Sequence, residues 1–571
     1  MPIKKNLLIG FLIDEISSIY ATEIIRGIKQ EAKILGHKII LFPGCNLNHP
    51  DNFEFQANII YSFISKCHLD ALIMASGTFR NYITEADFEK FYLTYKSIPL
   101  VSVSVPLDGV HSIIIDNKTG IMDAVSHLVK FHRCRQIAFI KGPDENPEAR
   151  VRLNAYIDSM KNEQLEIDER LIVNGSFTTS SGFDAAEKLY SLNVPFSSII
   201  AANDDMAIGA MDYLKSINKR IPQDISVIGF DDSELSKYYE PAVSTVTQNL
   251  IEQGIVAVRT AVDLCENAVV PFVKTIPTRL IIRNSCGCSA ASKTLSILTN
   301  KNNYDSFDED EFFLHNTAYK PYYQIIDSCI RKELELGKNE KNIYSSFHTI
   351  LYECNEFGLD FEIWKEVLLL LAYKWKLKTC ETTNETFIEK ITSGLQAVLL
   401  DTIRIIETRK ITEYRKTSFA FRTVYSRLVS ASDIKSLSAI LVKNLPELEI
   451  NTCFIAYYAK EIHNDRNTAW DIPEYAEIVA AIQDGVPIDL SSVDKTYSPS
   501  VSFVPEWFLE QNNSLVLIAK VLYVNESQIG LALIEHGKHL GIYYETILLQ
   551  ISNMIKNIMI YSENKRLNHN C

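Results

Sequence analysis

Short apolar runs alternate with helical patterns along the first part of the chain. The runs that predict strands are Leu7–Ile13, Lys38–Phe42, Ala71–Ala75, Leu100–Val105, Ile137–Ile140, Ser198–Ala202 and Ile225–Phe230. Between the first two, apolar residues recur at helical spacing, and Gly36 follows as a cap of the carboxyl end. Strand, helix and strand in this rhythm predict right-handed βαβ units around a parallel sheet.

This series of elements is too long for one sheet, and a second start lies at residues 136–142. We therefore predict two doubly wound lobes. Lobe one covers about residues 1–118 and 247–272, and lobe two covers about residues 119–246 and 273–288. Sheets of this kind bind ligands beyond the carboxyl ends of their strands. A ligand is therefore expected in the cleft between the lobes.

After Cys288 the pattern changes twice. Residues 289–429 predict a helical region and connector, and the segment Trp364–Trp375 is rich enough in leucine and aromatic residues to be a buried helix. Residues 430–571 predict an α+β domain. Its strand-like segments are Thr452–Tyr458, Ser500–Val504, Leu515–Val524 and Gln528–Ile534, with helices at Ile434–Leu445 and Tyr543–Asn564. This order of elements is similar to GAF sensor domains.

Length and charge limit the classes of protein that fit. A chain of 571 residues exceeds a single core, because such cores stop growing near ~250–300 residues. The formal net charge of −14 opposes direct DNA binding, which depends on clustered lysine and arginine. No segment approaches the ~18 apolar residues of a membrane span, and no secretory signal pattern is found. We expect a cytoplasmic, multidomain protein with no membrane contact.

Four segments resemble the effector-binding core of LacI/GalR repressors and the related sugar-binding periplasmic proteins. They are residues 9–14 with 21–28, residues 113–120 leading through 137–143 to Arg150 and Arg152, residues 199–209, and residues 225–232 with Pro241 and 244–248. The resemblance implies an α/β fold with two lobes of periplasmic-binding-protein type. It also implies that residues 1–288 bind a small effector, a sugar or related polar metabolite, without changing it chemically.

The resemblance carries the family's effector contacts onto Arg152, Asn203 and Asp231. A guanidinium, an amide and a carboxylate that converge on a cleft can bind adjacent hydroxyl groups in a fixed pattern. Asn203 and Asp231 also fit a second interpretation, as caps of turns and helices. Both interpretations place polar side chains at the carboxyl ends of strands.

Three aromatic residues are candidates for stacking on the apolar face of a sugar. Tyr20, Phe79 and Tyr239 lie in loops after predicted strands or near the expected cleft. Their rings fit either this role or packing at the hinge and edges of the lobes.

Cysteine and histidine patterns predict neither a metal site nor a cofactor. Cys286 and Cys288 form a Cys-x-Cys pair, which could be half of a metal site, but no second pair or nearby histidine accompanies it in the sequence. His127, His132 and His348 are interpreted as solvated residues of helices or turns. No nucleophile or acid–base arrangement is visible, so we expect no catalytic residues and no enzyme.

The chain begins almost directly at the first strand of the core, so the helix-turn-helix headpiece of the repressors is expected to be missing. The chain resembles a variant group in which the sensor precedes helical, GAF or PAS and output domains. We expect a signalling or transcriptional regulator that passes cleft closure to its C-terminal domains and to an output-domain partner. The alternative is the sensor part of a diguanylate cyclase or histidine kinase whose output domain is missing.

The last predicted helix carries an apolar stripe. Its members are Ile547, Ile551, Met554, Ile558 and Tyr561, at a spacing typical of a helical seam. The stripe fits either packing on its own domain or pairing with a second chain. Because the cores of the resembling family also pair side by side, we predict a homodimer.

Overall fold

The computed structural model describes residues 6–50, 53–288, 319–336, 339–356, 361–378, 382–465, 470–510 and 515–569. The chain divides into two compact units, one formed by residues 1–288 with 420–571 and the other by residues 289–419. The start of the predicted helical region and connector, residues 289–318, lies outside the described residues.

Strands and helices alternate along residues 6–288. The strands are β1 (Leu8–Ile13), β2 (Lys38–Pro43), β3 (Ala71–Met74), β4 (Leu100–Val103), β5 (His111–Ile115), β6 (Ile137–Lys141), β7 (Ile172–Asn174), β8 (Ser198–Ala201), β9 (Ser226–Ile228), β10 (Thr245–Thr247), β11 (Val273–Ile276) and β12 (Arg279–Ile281). The helices are α1 (Ile19–Leu35), α2 (Glu85–Leu93), α3 (Asn117–His132), α4 (Pro147–Asn162), α5 (Thr179–Ser191), α6 (Asp204–Ser216), α7 (Glu234–Tyr238) and α8 (Leu250–Cys265), with 3₁₀ helices at Glu54–Lys66 and Glu169–Leu171. Each predicted strand of this region is present.

These elements form two doubly wound lobes with parallel sheets. The strand order is β11, β5, β4, β3, β1, β2 in lobe one and β7, β6, β8, β9 in lobe two. Every residue of β3 and β8 is buried, as in sheets covered on both faces. One predicted boundary is wrong. Residues 273–276 belong to lobe one, because β11 pairs with β5 and the Ser112 N–H donates to the Phe272 carbonyl over 2.7 Å.

Three chain segments cross between the lobes and are hydrogen-bonded to one another. The Asp116 N–H donates to the Ile276 carbonyl over 3.0 Å, and the Thr278 hydroxyl donates to the Asp116 carbonyl over 2.7 Å. The Asn249 side-chain amide donates to the Pro277 carbonyl over 2.7 Å. These bonds tie the crossings together beside the carboxyl end of β5, where the lobes meet.

In the unit of residues 289–419, the described residues are almost all helical, as predicted. Its helices are α9 (Lys320–Leu336), α10 (Glu340–Glu356), α11 (Phe361–Lys378) and α12 (Thr382–Leu428), the last of which continues beyond the unit. Trp364, Leu368 and Leu371 of α11 are buried in one apolar cluster, which confirms the predicted buried helix. Among the helices described in either unit, none is both long and apolar enough to cross a membrane.

The C-terminal region has a helix, then a mainly antiparallel sheet, then a long helix, as the sequence predicts. Its elements are α13 (Ile434–Asn444), a 3₁₀ helix (Pro446–Leu448), β13 (Cys453–His463), β14 (Ala476–Gln483), β15 (Val486–Pro487), β16 (Thr496–Tyr497), α14 (Glu506–Glu510), β17 (Val516–Val524), β18 (Ser527–Glu535) and α15 (Gly541–His569). The predicted strand at Ser500–Val504 is wrong. That segment forms turns, in which the Ser502 hydroxyl donates to the Val504 carbonyl, and the apolar side chains of Phe503 and Val504 are buried from a loop.

The apolar stripe of α15 packs inside its own unit. Ile547, Ile551, Met554 and Ile558 are buried in the main core, whereas Tyr561 is 63% exposed. Packing on its own domain, the first of the two interpretations, therefore accounts for the stripe as far as Ile558.

The sheet of the C-terminal region continues the sheet of lobe one. β17 runs parallel to β2, with Val516–Ile518 beside Ile39–Leu41, and the Ile39 N–H donates to the Leu515 carbonyl over 2.9 Å. The two sheets together have 12 strands. The sequence predicts a separate domain from residue 430, but β2 and β17 are each the edge of their own sheet. Their pairing satisfies backbone groups that either edge would otherwise leave open.

Candidate functional site

Polar groups at the carboxyl ends of several strands meet around Arg152. This residue lies on α4, and its side chain is 3% exposed. Its Nε donates to Asn117 Oδ1 over 2.7 Å, and its Nη1 donates to the Ala202 carbonyl over 2.7 Å. Its guanidinium carbon lies 3.8 Å from the centre of the Phe230 ring. Because these three partners follow β5, β8 and β9, the guanidinium is fixed at the point where the strand ends converge.

Two carboxyl groups face this guanidinium. Asp231 Oδ1 lies 3.6 Å from Nη1 of Arg152, and Glu148 Oε1 lies 3.6 Å from Nη2. Glu148 is one helical turn before Arg152 on α4. Asp231 has a φ of 119°, a backbone conformation that is costly for a residue with a side chain. The fold therefore holds a strained backbone at the position where this carboxyl group meets the arginine.

Gln248 lies beside Asp231. Its Nε2 donates a hydrogen bond to Asp231 Oδ1. Its side chain is buried, and among the described residues its Oε1 has no hydrogen-bond partner. Leaving a buried acceptor unpaired costs about 1–3 kcal/mol. A ligand hydroxyl that donates to this oxygen would remove that cost.

Burial raises the pKa values of the carboxyl groups around the cleft. Burial, with the charge of Glu15 as a second cause, raises the pKa of Asp14 at the end of β1 to about 7. Burial also raises the pKa values of Glu148 and Asp231, although the nearby Arg152 opposes the rise in both. The cleft thus combines three carboxyl groups with one guanidinium, a set that hydrogen-bonds readily with hydroxyl groups.

The two lobes touch each other across the cleft. Asn146 of lobe two donates from Nδ2 to the Gly77 carbonyl of lobe one over 3.3 Å, and to Asn81 Oδ1 over 3.0 Å. A Cβ atom on Gly77 would lie 2.9 Å from Glu148 Oε2, so a larger residue there would press against lobe two. The cleft is therefore in a closed arrangement.

Three of the six predicted ligand residues lie together at the cleft: Arg152, Asp231 and Tyr20. The Tyr20 hydroxyl is 2.9 Å from Ser104 Oγ. Burial raises the pKa of Tyr20, and the charges of Glu148 and Asp231 add to the rise, as their closeness requires. The structure thus brings a phenol, a guanidinium and carboxyl groups to one place.

Asn203 is used as the helix cap of its alternative interpretation. Its Oδ1 accepts the Met206 N–H over 3.0 Å, and its Nδ2 donates to the Phe177 carbonyl over 3.1 Å. It follows Ala202 directly, and the Ala202 carbonyl binds Arg152. The side chain of Asn203 therefore shapes the loop that holds the arginine.

Phe79 and Tyr239 lie away from the cleft, which corrects their predicted stacking role. Phe79 is fully buried in lobe one, with its ring centre 5.6 Å from that of Tyr61. The Tyr239 hydroxyl donates to Asp212, and the Lys215 ammonium lies 4.0 Å from its ring centre. Both partners are near the carboxyl end of α6, whereas the cleft lies at its amino end. Packing, the alternative interpretation, describes both rings.

Sequence reasoning missed Asp14, Ser104, Asn117, Glu148 and Gln248 as site residues. Four of them share one signal, which is a polar residue at or just beyond the end of β1, β4, β5 or β10. Glu148 carries no such signal, because it lies on a helix and is recognisable only from its position one turn before Arg152.

Two histidines differ from their interpretation as solvated residues. His127 is buried, and His132 Nε2 lies 3.4 Å from the Sγ atom of Cys288. His127 and His132 are distant from the Cys-x-Cys pair in the sequence but lie beside it in the structure, so their interpretation as solvated residues is wrong. Helix α3 brings both histidines to the end of residues 1–288.

Comparisons with known proteins identify the family. A family model described as a periplasmic binding protein-like domain matches residues 125–286. The HTH-type transcriptional regulator RegA of Clostridium saccharobutylicum is 31% identical over 264 residues, 46% of this chain and 76% of the relative. Catabolite control protein A of Priestia megaterium is 27% identical over 284 residues, 49% of this chain and 82% of the relative.

A solved structure is also similar. It is that of a sugar-binding transcriptional regulator of the LacI family from Escherichia coli, complexed with phosphate. Its sequence is 26% identical, and the match covers 49% of this chain and 97% of that chain with a TM-score of 0.42. Since the similarity to RegA extends over three quarters of that regulator, the chain belongs to the LacI family of transcriptional regulators.

Proposed function

We propose that residues 1–288 bind a small, neutral, sugar-like effector in the cleft between the lobes and release it chemically unchanged. The observation that carries this proposal is the set around Arg152, which joins a guanidinium, two carboxyl groups and the Oε1 of Gln248, an atom without a hydrogen-bond partner among the described residues. A hydroxyl group both donates and accepts, so a polyol can bind to all of these groups at once. The names of the relatives, which are transcriptional regulators, support a role in the control of transcription.

The charge of the cleft favours a neutral ligand over an anion. Glu148 and Asp231 both face Arg152, so its one positive charge already has two carboxyl partners. A carboxylate or phosphate on the ligand would compete with these carboxyl groups for the guanidinium and would repel each of them that is ionised. We therefore expect neutral sugars and polyols to bind in preference to sugar acids and sugar phosphates.

We infer that cleft closure reaches the C-terminal region, which we assign as a GAF-like domain, through the shared sheet. The strand β1 ends at the cleft, and its neighbour β2 pairs with β17. Lys29 of α1 adds a second connection, because its Nζ donates to the His536 carbonyl over 3.2 Å and the Gly537 carbonyl over 2.7 Å. A coupling of ~1–3 kcal/mol is the usual scale for such a relay. The C-terminal region would then act on an output partner.

A calorimetric screen of the full chain tests the ligand class. The panel pairs neutral monosaccharides, disaccharides and polyols with the corresponding sugar acids and phosphates. We expect saturable binding by at least one neutral member and weaker binding by its anionic counterpart. If only anionic members bind, the assignment of the cleft as a neutral-sugar site is refuted.

Hydrogen–deuterium exchange with the bound sugar tests the relay. We expect slower exchange in the loops after β1 and β9, which contact the ligand, and a measurable change in β17. Protection confined to residues 1–288 would show that closure does not reach the C-terminal region.

We propose that the chain is a homodimer, as LacI/GalR cores are. Ile542, Leu549 and Ile560 of α15 are 50%, 52% and 44% exposed. Their spacing of seven and eleven residues places them on one face of the helix, which suits pairing with the same helix of a second chain. Light scattering at micromolar concentration should give about twice the chain mass of 64.9 kDa. The variant Leu549→Glu/Ile560→Glu should lower this mass, and a wild-type mass near 64.9 kDa would refute the dimer.

A further inference from the structure

Four side chains that commonly bind metals meet where residues 1–288 end. His127 and His132 come from the last turns of α3, and Cys286 and Cys288 come from the final turn. One nitrogen or sulfur atom from each residue lies within 4.8 Å of the other three. His127 and Cys286 are buried, and His132 and Cys288 are half-buried. Residues far apart in sequence thus form a compact group of two imidazoles and two thiols.

The distances within this cluster match the edges of a zinc tetrahedron. The Nε2 atoms of His127 and His132 are 3.2 Å apart, and they lie 3.7 and 3.4 Å from the Sγ atom of Cys288. Zinc binds imidazole nitrogen at about 2.0–2.1 Å and thiolate sulfur at about 2.3 Å, so tetrahedral geometry separates the ligand atoms by about 3.3–3.8 Å. The three donors therefore already have the mutual spacing that one bound zinc ion requires.

The backbone is built to hold this spacing. Gly287, between the two cysteines, has a φ of 107°, which a residue with a side chain rarely adopts. A Cβ atom there would lie 3.1 Å from the imidazole of His132, so the glycine also makes room for the ring. The Ser226 hydroxyl donates to the Cys286 carbonyl over 3.0 Å, which attaches the turn to the sheet of lobe two.

Hydrogen bonds alone explain the cluster less well than a metal does. An imidazole has one N–H or one lone pair at Nε2, and this points along a single direction in the ring plane. Yet each of the two Nε2 atoms lies close both to the other and to the Cys288 sulfur. One central ion satisfies all these atoms at once, and two sulfur with two nitrogen donors is a set typical of structural zinc.

We propose that His127, His132, Cys286 and Cys288 bind one Zn²⁺ ion. The ion fixes the final turn of residues 1–288 to the carboxyl end of α3. Helix α3 begins at Asn117, which accepts the hydrogen bond from Arg152 in the cleft. The zinc ion therefore holds residues 286–288 at the carboxyl end of α3, and the amino end of the same helix lies at the proposed effector site. This inference does not depend on the identity of the effector.

Metal analysis of the full chain, purified under reducing conditions without chelators, tests the proposal. We expect about one zinc per chain in the wild type, by analogy with closed sites of this ligand set. The variants Cys288→Ser and His132→Ala should each lose most of it. Cys265→Ser, which changes a thiol of the same unit outside the cluster, should keep it. After chelation, Co²⁺ added to the wild type should give the intense visible bands of a tetrahedral thiolate site.

The cobalt measurement on the wild type keeps the test valid if a variant does not fold. Zinc-free wild type with reduced cysteines that fails to bind Zn²⁺ or Co²⁺ at micromolar concentration would overturn the proposal. Full zinc content in folded Cys288→Ser and His132→Ala would overturn it equally. A Cys286–Cys288 disulfide in protein prepared under reducing conditions, detected by mass, would also count against it.

Discussion

Replacing Arg152 with alanine is expected to weaken sugar binding about a hundredfold, which corresponds to ~2–3 kcal/mol. The guanidinium bonds to Asn117 and the Ala202 carbonyl and faces Glu148 and Asp231. Alanine removes the charged hydrogen-bond donor that the guanidinium offers to the ligand. It also leaves the two carboxyl groups without their nearby cation, which disfavours the closed arrangement. Titration calorimetry with the tightest sugar of the neutral panel measures the loss.

Arg150→Ala is the matched control for this prediction. Arg150 lies on the same helix two residues earlier, is exposed, and donates from Nη1 to the carbonyls of Asp144 and Glu145. Its loss should change the dissociation constant less than about twofold, as for an exposed contact outside the cleft. Because Arg152 is buried, thermal unfolding of each variant establishes that the protein tested is folded. Equal affinity in wild type and folded Arg152→Ala would place the ligand elsewhere.

Much of the cleft could be predicted because its chemistry follows strand ends. Arg152, Asp231 and Tyr20, three of the predicted ligand residues, lie together at the cleft, and their binding of a ligand stays a prediction. The positions of Phe79 and Tyr239 were not predicted, because a sequence does not show which way a ring turns after a strand. A turn that points the ring inward puts Phe79 in the core of lobe one, and cation–π contact holds Tyr239 against α6.

The zinc-type cluster was missed for a different reason. A metal site is recognisable from the sequence when its pairs of ligands lie close to one another along the chain. Here Cys286 and Cys288 are separated from His127 and His132 by more than 150 residues, and only the return of the chain to lobe two brings them together. The two histidines alone fit solvated residues of a helix or turn, and the two cysteines alone are at most half of a metal site.

The order of elements could be predicted, but the contacts between sheet edges could not. Alternation of apolar runs and helices predicted both lobes, and helical spacing predicted α13 and α15. The residues of an edge strand do not show which strand of another sheet it will pair with. The pairing of β2 with β17 could therefore not be predicted from the sequence. The edge strand β11 was assigned to the wrong lobe for the same reason.

A buried polar cluster beside the joined sheets provides a way to test that junction. Gln56, in the 3₁₀ helix of lobe one, is fully buried. Its Nε2 donates to the Asn464 carbonyl over 2.7 Å. Its Oε1 accepts from Gln528 Nε2 over 2.7 Å and from Asn464 Nδ2 over 3.2 Å. One side chain of lobe one thus satisfies two polar side chains of the C-terminal region.

Gln56→Ala is expected to lower the free energy of unfolding by about 2–4 kcal/mol, because it removes the side-chain partner of the Asn464 carbonyl and Nδ2 and one of the two bonds that Gln528 Nε2 makes to residue 56. The shift of the urea unfolding transition of the full chain measures this. Gln30→Ala, on the exposed face of α1, is the control and should change the free energy by less than about 0.5 kcal/mol. If both variants unfold like the wild type, the C-terminal region is not held on lobe one in solution. The relay through β2 and β17 would then lose its physical basis, whatever ligand the cleft binds.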